Sequence, residues 1–290
     1  MDNIRPSVTQ GNTILRSDYN NIQTKIATIL GSGSGQSGYG QSLASSQVAA
    51  DSVIDDAHWD NLRTDLLKAR QHQTGADESA NLTDVAAGQT IDDAVITGYE
   101  NFATTVVNNK FSIAGNQQSQ TATTTGTAGA WNGTRTGNIT FSFTSADAAR
   151  YFFNSGGIVR VSGTAGVNGG GSKDQTWWNM TAGVVREVNG SGFYSLTDQF
   201  SRLASIGAAA GVYVENRYYI DVRCNVSNNS SGGATQVIFR LIFEDNDTGD
   251  QTGTGAAVDE NVSGASVSGW AIRSIGNVDV AAPSISAPNF

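Results

Sequence analysis

The sequence predicts an α+β protein, with an N-terminal helical assembly region over residues 1–114 and a C-terminal antiparallel β-sandwich, jelly-roll-like, over residues 115–290. In the first region, apolar residues recur at helical spacing. In the second, they alternate with polar residues, and clusters of Gly and Asn separate the alternating segments at the intervals typical of sandwiches. The change of pattern near residue 114 defines the boundary.

The first predicted helix begins at Ser17 as N-cap, carries Asp18 in its first turn and stops at Gly31. The second begins near Asp55 or Asp56. Gly75 ends that helix, because glycine readily adopts the left-handed conformation that follows a helix.

The third predicted helix begins after Thr90, with Asp92 and Asp93 at the positive end of the helix dipole, and ends between Asn108 and Phe111. The apolar stripes of the three helices are, in order, Tyr19, Ile22, Ile26, Ile29 and Leu30; Trp59, Leu62, Leu66 and Ala69; Val95, Tyr99, Phe102 and Val106.

Three such stripes joined by long connectors bury little apolar area, and isolated helices of this length are marginal in water. We therefore expect the helices to pack against other copies of the chain or against a larger assembly, most simply as a homotrimer. The residues predicted to form this interface are Tyr19, Ile22, Ile26, Tyr39, Trp59, Leu62 and Leu66.

A glycine-rich run after Leu30 contains a G-x-G-x-x-G pattern from Gly33 to Gly38. This pattern binds dinucleotides only where it follows a strand and opens a helix. Here a helix precedes it, and no Lys-Ser or Lys-Thr follows to form a P-loop. The run is predicted to be a helix-to-helix connector over residues 31–42, ordered against a neighbouring subunit.

The second region contains several predicted strands. The apolar segment from Thr235 to Glu244 directs Val237, Phe239, Leu241 and Phe243 to one face and Ile238 and Ile242 to the other, which predicts that both faces are covered. Further strands are predicted at Asn138–Thr144, at Gly157–Gly163, within Gly211–Val226 and around Trp270 and Ile272, and short helices at Asp147–Phe153 and Gln175–Thr181.

Composition excludes several classes of protein. The net charge of −9 disfavours nucleic-acid binding, which needs a basic face. No apolar run approaches the length of a membrane span, and the start lacks the apolar core of a signal peptide. Cys224 is the one cysteine, so no intrachain disulfide forms and synthesis in a reducing cytosol is expected. Only 15% of the residues are charged, which is unusual for an intracellular enzyme.

No metal site is predicted. His58 and His72 are about 21 Å apart if both lie on one helix, too far to bind the same ion, and His72 is expected to cap the end of its helix. The acidic run from Glu244 to Asp250 fails the EF-hand pattern, because Gly249 falls one place early. A solvated hairpin loop is the favoured interpretation of this run over a calcium site.

Trp177, Trp178 and Asn179, or the pair Tyr218 and Tyr219, can form an aromatic platform for sugars, although core packing is the favoured interpretation of these aromatic residues. No catalytic residues are predicted. A G-x-S-x-G elbow between a strand and a helix is missing from the sequence. Glycoside hydrolysis needs two carboxylates in one cleft, and the sequence does not say whether any acidic pair, such as Asp221 and Glu244, is close together.

Several ordered segments resemble a family of virion structural proteins from tailed phages that infect cyanobacteria and other aquatic bacteria. The resemblance spans most of residues 14–245. The segments that carry it are Asp18–Ile22, Leu30–Ser42, Trp59–Asp65, His72–Gly75, Ala149–Gly157 and Trp177–Asn179.

The resemblance implies a non-enzymatic structural component of the phage particle, without cofactors, made in the bacterial host's cytoplasm and located in the virion. A homotrimeric tail or neck fibre that contacts other virion proteins and projects the β-domain is the favoured form. Three alternatives stay open: a receptor adhesin that binds host carbohydrate, a capsid-decorating protein and, least favoured, a tailspike-type depolymerase. The position on the particle and the receptor stay undetermined at this point.

Overall fold

The structure is a computed structural model that describes residues 16–32, 38–89, 91–123, 127–128, 131–209, 213–247, 262, 265–267 and 271–286. It confirms a mixed α+β protein with antiparallel sheets, whereas a jelly-roll sandwich is not confirmed. The chain forms two compact units. The helical unit comprises Met1–Ser119, Arg150–Gly156 and Gly276–Ala281, and the strand unit comprises Gln120–Ala149, Gly157–Ile275 and Ala282–Phe290.

The helical unit is built on three helices, α1 (Arg16–Leu30), α2 (Asp56–Thr74) and α3 (Asp93–Asn108). Ser17 lies inside α1, so its assignment as N-cap is wrong, while Asp18 does lie in the first turn. The ends of α2 and α3 lie where they were predicted. Asp55 and Asp92 accept hydrogen bonds from backbone N–H groups of α2 and α3, and Gly75 ends α2 with φ +68°.

The three stripes meet in one core within the single chain. Trp59 is the centre, with its ring edge-to-face against Tyr19 at 5.5 Å and Tyr99 at 5.0 Å between centroids. The seven residues predicted to lie between subunits are each at most 1% exposed: Tyr19, Ile22, Ile26, Tyr39, Trp59, Leu62 and Leu66. The prediction that they form an intersubunit interface is therefore corrected, because they bury one another inside one chain.

The connectors explain why the core is larger than the stripes alone allow. Tyr39, Val48, Leu82 and Val85 lie between the helices in sequence, and each is buried in the same apolar cluster. Asp65 of α2 fixes one connector, because its carboxylate accepts hydrogen bonds from the backbone N–H groups of Ala44 and Ser45 at 2.9 and 2.8 Å. The long connectors therefore contribute side chains to the core and do not only join the helices.

The last residues of the glycine-rich connector form hydrogen bonds with the end of α1. The N–H of Tyr39 donates to the Ile29 carbonyl at 2.7 Å, and the N–H of Gln41 donates to the Leu30 carbonyl at 2.9 Å. The Tyr39 hydroxyl donates to the Lys110 carbonyl at 2.8 Å. Residues 33–37, most of the predicted G-x-G-x-x-G pattern, lie outside the described residues.

Two later segments complete the helical unit, so the division of the chain differs from the expected single boundary after residue 114. Asn154, at the end of α4 (Ala146–Asn154), donates its side-chain amide to the Gly38 carbonyl at 3.2 Å. Asn277 donates to the His72 carbonyl at 3.4 Å. The helical pattern in the first third of the chain does not indicate that these later segments pack against it.

The described residues form eleven strands, which belong to the strand unit except for Gln118, Ser119, Gly276 and Asn277 at strand ends. They are β1 (Gln118–Thr123), β2 (Thr127–Ala128), β3 (Gly133–Ser142), β4 (Ile158–Ser162), β5 (Val185–Val188), β6 (Ser201–Gly207), β7 (Arg217–Cys224), β8 (Gln236–Asp245), β9 (Ala265–Val267), β10 (Ala271–Asn277) and β11 (Ser284–Ser286). The helices α5 (Ser172–Thr181) and α6 (Gly190–Tyr194) connect strands, and α4 and α5 match the two predicted short helices. The sheet orders are β11-β3-β8-β7-β6, β1-β10-β4-β5 and β2-β9.

Strand β8 has the two faces that its sequence predicts. Val237, Phe239, Leu241 and Phe243 are fully buried on one face, where they meet the apolar residues of β3 and β7. On the opposite face, Ile238 is buried and Ile242 is half-buried. Arg240 lies between them, so this second face is partly polar.

Candidate binding surface

The residues predicted to contact sugars do not form one platform. Trp177 is fully buried in α5, with its ring 5.1 Å from that of Trp131 and 6.1 Å from that of Phe243 between centroids. Trp178 is half-buried and Asn179 is exposed. The prediction of Trp177 as a glycan contact is therefore corrected, and the alternative of core packing holds for this residue.

Asn179 lines a cleft of about 350 Å³ with Thr176, Met180 and residues 206–209. None of these residues carries an ionisable side chain. A paired acid and base, which glycoside hydrolysis needs, is therefore missing from this cleft.

The predicted metal candidates have structural roles. His58 completes the capping box of α2 with Asp55, and His72 is buried against Tyr39, with 5.6 Å between ring centroids. No group of three or more potential metal ligands occurs within the described ranges. The acidic run is not the solvated loop that was favoured, because Asp245 and Asp247 are buried beside Lys173, while residues 248–250 lie outside the described residues.

The outer face of β6, β7 and β8 brings together a set of side chains that the sequence did not single out as a site. We call it the arginine–aromatic surface, and it consists of Phe200, Arg202, Tyr219, Asp221, Arg223 and Arg240. Tyr219, Asp221 and Arg223 alternate along β7 and so share one face. Asp221 lies opposite Arg240 of β8 and Arg202 of β6.

A register shift in β6 places Arg202 on this face. Ala204 pairs with Ile220, whereas Arg202 pairs with Asp221, so the ladder skips Leu203. An extra residue of this kind re-aims the side chains beyond it. Arg202 consequently reaches Asp221.

Two guanidinium groups share the Asp221 carboxylate. Arg202 donates from Nε to Oδ1 at 2.7 Å and from Nη2 to Oδ2 at 3.3 Å, and Arg240 donates from Nη2 to Oδ2 at 2.8 Å. Burial alone would raise the pKa of Asp221, but the hydrogen bonds from both arginines outweigh it and hold this pKa below its ordinary value. Asp221 thus stays ionised and orients both arginines.

Aromatic rings support the same arginines. The Arg202 guanidinium lies 3.7 Å from the ring centroid of Tyr219. Those of Arg240 and Arg223 lie 4.0 and 5.0 Å from the centroid of Phe200. Such contacts hold planar cations in place while their outer edges face solvent.

This surface is positively charged on an acidic chain. Its six residues include three arginines and one carboxylate, although the whole chain has a net charge of −9. Arg217 and Glu244, which pair across β7 and β8 on the same face, add one charge of each sign. The side chains of Arg202 and Arg240 are 44% and 33% exposed. Fixed, partly exposed guanidinium groups beside aromatic rings can bind carboxylate or sulfate groups and the sugar rings that carry them.

The period-two alternation of Tyr219, Asp221 and Arg223 is the one signal by which sequence could have indicated this surface. No helix in the described part of the chain has both the length and the apolar character that crossing a membrane requires. No protein family, curated protein or solved structure that we compared matches this chain.

Proposed function

We propose that this chain is a non-enzymatic structural protein of a phage particle, a homotrimeric tail or neck fibre whose strand unit binds acidic polysaccharide on the host surface. The observation that carries the binding function is the arginine–aromatic surface, a concentration of oriented positive charge on an acidic chain. The place in the virion rests on the sequence resemblance.

The segments that carry the resemblance have structural positions, which is consistent with a scaffold protein. Trp59 is the centre of the helical core, and Asp65 holds the following connector. Gln73 donates to the Tyr39 hydroxyl at 2.9 Å and to the Val106 carbonyl at 2.8 Å. Packing and hydrogen bonding therefore account for Trp59, Asp65 and Gln73.

The binding function can be tested with three dextrans that share one backbone: dextran sulfate, carboxymethyl dextran and unmodified dextran. At about 0.15 M salt, where distant surface charges are screened, we expect the protein to bind the two charged polymers and not the neutral one. Arg202→Gln and Arg240→Gln should each weaken binding about tenfold, since each removes a charge-assisted contact of 1.5–3 kcal/mol or so.

Arg160→Gln is the matched control, because Arg160 is a half-exposed strand arginine that pairs with Glu187 away from this surface. It removes the same charge and should leave binding unchanged. Equal losses in all three variants would show that net charge alone governs binding and would overturn the proposed surface. Loss of binding in Trp178→Ala, with the arginine variants unaffected, would place the site at α5 instead.

The place in the virion can be tested by immunogold electron microscopy of intact particles with antibodies against this chain. We expect labelling of projecting appendages in a small, fixed copy number. Uniform labelling of the head in many copies would favour a capsid-decorating protein, and absence of label from particles would contradict the virion proposal.

A further inference from the structure

A buried cluster of one lysine and two carboxylates lies in the strand unit. Lys173 is the second residue of α5, Asp245 is the last residue of β8, and Asp247 follows two positions later. Lys173 is 1% exposed, Asp245 5% and Asp247 6%. The Lys173 Nζ atom lies 2.7 Å from Asp245 Oδ2 and 3.8 Å from Asp247 Oδ2.

A buried aromatic residue lies close to this cluster. The Nζ atom also lies 5.9 Å from the ring centroid of Tyr213, which is itself buried. Transfer of an ammonium and a carboxylate out of water is costly, and mutual attraction repays the cost only in part. Lysine is rarely buried to this degree. A reaction that removes both charges would therefore relieve the cost of burying them.

We propose that Lys173 and Asp245 form an intramolecular isopeptide bond, with Asp247 as the group that moves the proton. The Lys173 ammonium passes one proton through Asp247 to Asp245, and the lone pair of the resulting amine attacks the carbon of the now neutral Asp245 carboxyl group. A second proton then leaves the nitrogen through Asp247 and joins the departing hydroxyl, which leaves as water. A new N–C bond forms and one C–O bond breaks. The ammonium and carboxylate together become one amide and one water, and Asp247 returns to its starting protonation state, so no oxidant or other reactant is required.

Geometry and burial both favour this reaction. The nucleophile and the carboxyl group are held in hydrogen-bond contact by two regular elements, α5 and β8, which replaces a bimolecular encounter by an intramolecular one. Exclusion of water favours condensation and protects the amide from hydrolysis. The bond would join the start of α5 to the end of β8 and so link two parts of the chain that are distant in sequence.

Intact-mass spectrometry of the purified, denatured full-length chain tests the proposal directly. We expect a mass about 18 Da below that calculated from the sequence, the loss of one water. Trypsin should fail to cleave after Lys173 and should release a branched peptide in which residues 161–186 are joined to residues 241–273.

Variants separate the roles of the three residues. Lys173→Arg keeps the positive charge but cannot form the amide, so the full calculated mass is expected, and Asp245→Ala should give the same result. Asp247→Asn keeps the size of the side chain but removes the proton acceptor, so a largely unlinked product is expected. The exposed-site control Lys25→Arg should retain the water loss.

The proposal is overturned if the wild-type chain has its full calculated mass and trypsin cleaves after Lys173. It is also overturned if the missing water maps to a cyclic imide within one unbranched peptide. Both results come from the wild-type protein, so they do not depend on whether any variant folds.

Discussion

At the scale of single residues, Gly40 shows how closely the helical unit is packed. It has φ +73°, and a Cβ atom placed there would lie 2.6 Å from Cγ of Tyr151. Gly88 has a similar φ of +79°, but apart from its chain neighbours no atom of the described residues lies within 4 Å of such a Cβ. Alanine substitutions at the two positions therefore distinguish the cost of a left-handed backbone from the cost of a steric clash.

We expect Gly40→Ala to lower the free energy of unfolding by about 3 kcal/mol, because it adds overpacking to backbone strain. Gly88→Ala should lower it by about 1 kcal/mol, from strain alone. Urea denaturation of the two variants and the wild type measures the difference. Equal losses would show that the Tyr151 ring moves aside without cost.

Residues with local roles were predictable, and residues with distant partners were not. Asp55, Asp92 and Gly75 cap helices through neighbours within a few residues, so sequence pattern indicates them. Tyr39 was identified as a packing residue, but its partners at Gln73 and Lys110 lie far away in sequence. The burial of Lys173 likewise depends on a strand more than sixty residues away, which no local pattern encodes.

At the scale of elements, strands whose apolar and polar residues alternate without interruption were predictable. Strands β4 and β7 lie within predicted segments, β8 extends one residue beyond its segment, and β3 begins five residues before its own. Strand β5 was missed because it has only four residues, and β6 because its alternation is interrupted at Leu203. The skipped Leu203 in β6 could not be predicted, since register depends on the partner strand rather than on β6 itself.

The last turn of α2 should make stability depend on pH. Burial lowers the pKa of His72 and Lys68 adds to this effect, while Asp279, whose Oδ2 lies 3.5 Å from Nε2, opposes it. The unfolded chain then binds a proton near its ordinary pKa of about 6.5, and the folded chain does so only at lower pH. Stability is therefore fully present above about pH 6.5 and falls as the pH drops through the lower, folded-state value.

We expect His72→Gln to lose less free energy of unfolding than the wild type between about pH 7.5 and 5.5, by no more than about 1.4 kcal/mol, which is the limit that one group sets over this interval. Urea denaturation at several pH values provides the measurement. His58 is present in both proteins and cancels in the comparison. Parallel pH profiles for the two proteins would contradict a lowered His72 pKa.

At the scale of the whole molecule, the helical core is buried within one chain, and this changes which residues can contact other copies. The predicted interface residues are inside the chain, so contacts between copies must use other side chains. In the helical unit, Val53, Val107, Phe111 and Val278 are large apolar side chains that remain exposed. Exposed apolar groups are the natural candidates for contacts in the proposed trimer.

Size-exclusion chromatography with light scattering should give a mass about three times the 30.3 kDa of the chain. Phe111→Ser is expected to shift this mass toward that of the monomer. Leu62→Ala should keep the trimer mass but lower the free energy of unfolding by about 3 kcal/mol, because Leu62 is fully buried within one chain. If Leu62→Ala gave a folded monomer, the apolar stripe of α2 would have to lie between subunits, as the sequence first predicted.

The glycine-rich connector has a consequence for protein engineering. Backbone hydrogen bonds from Tyr39 and Gln41 to the last residues of α1 hold the two ends of the segment that follows Gly31 close together. Its two ends are thus fixed independently of the number of residues between them. Doubling the length of a flexible closed segment costs only about 0.6 kcal/mol. A peptide epitope or affinity tag inserted between Ser32 and Gly38 should therefore lower the free energy of unfolding only slightly, which urea denaturation of the insertion variant measures.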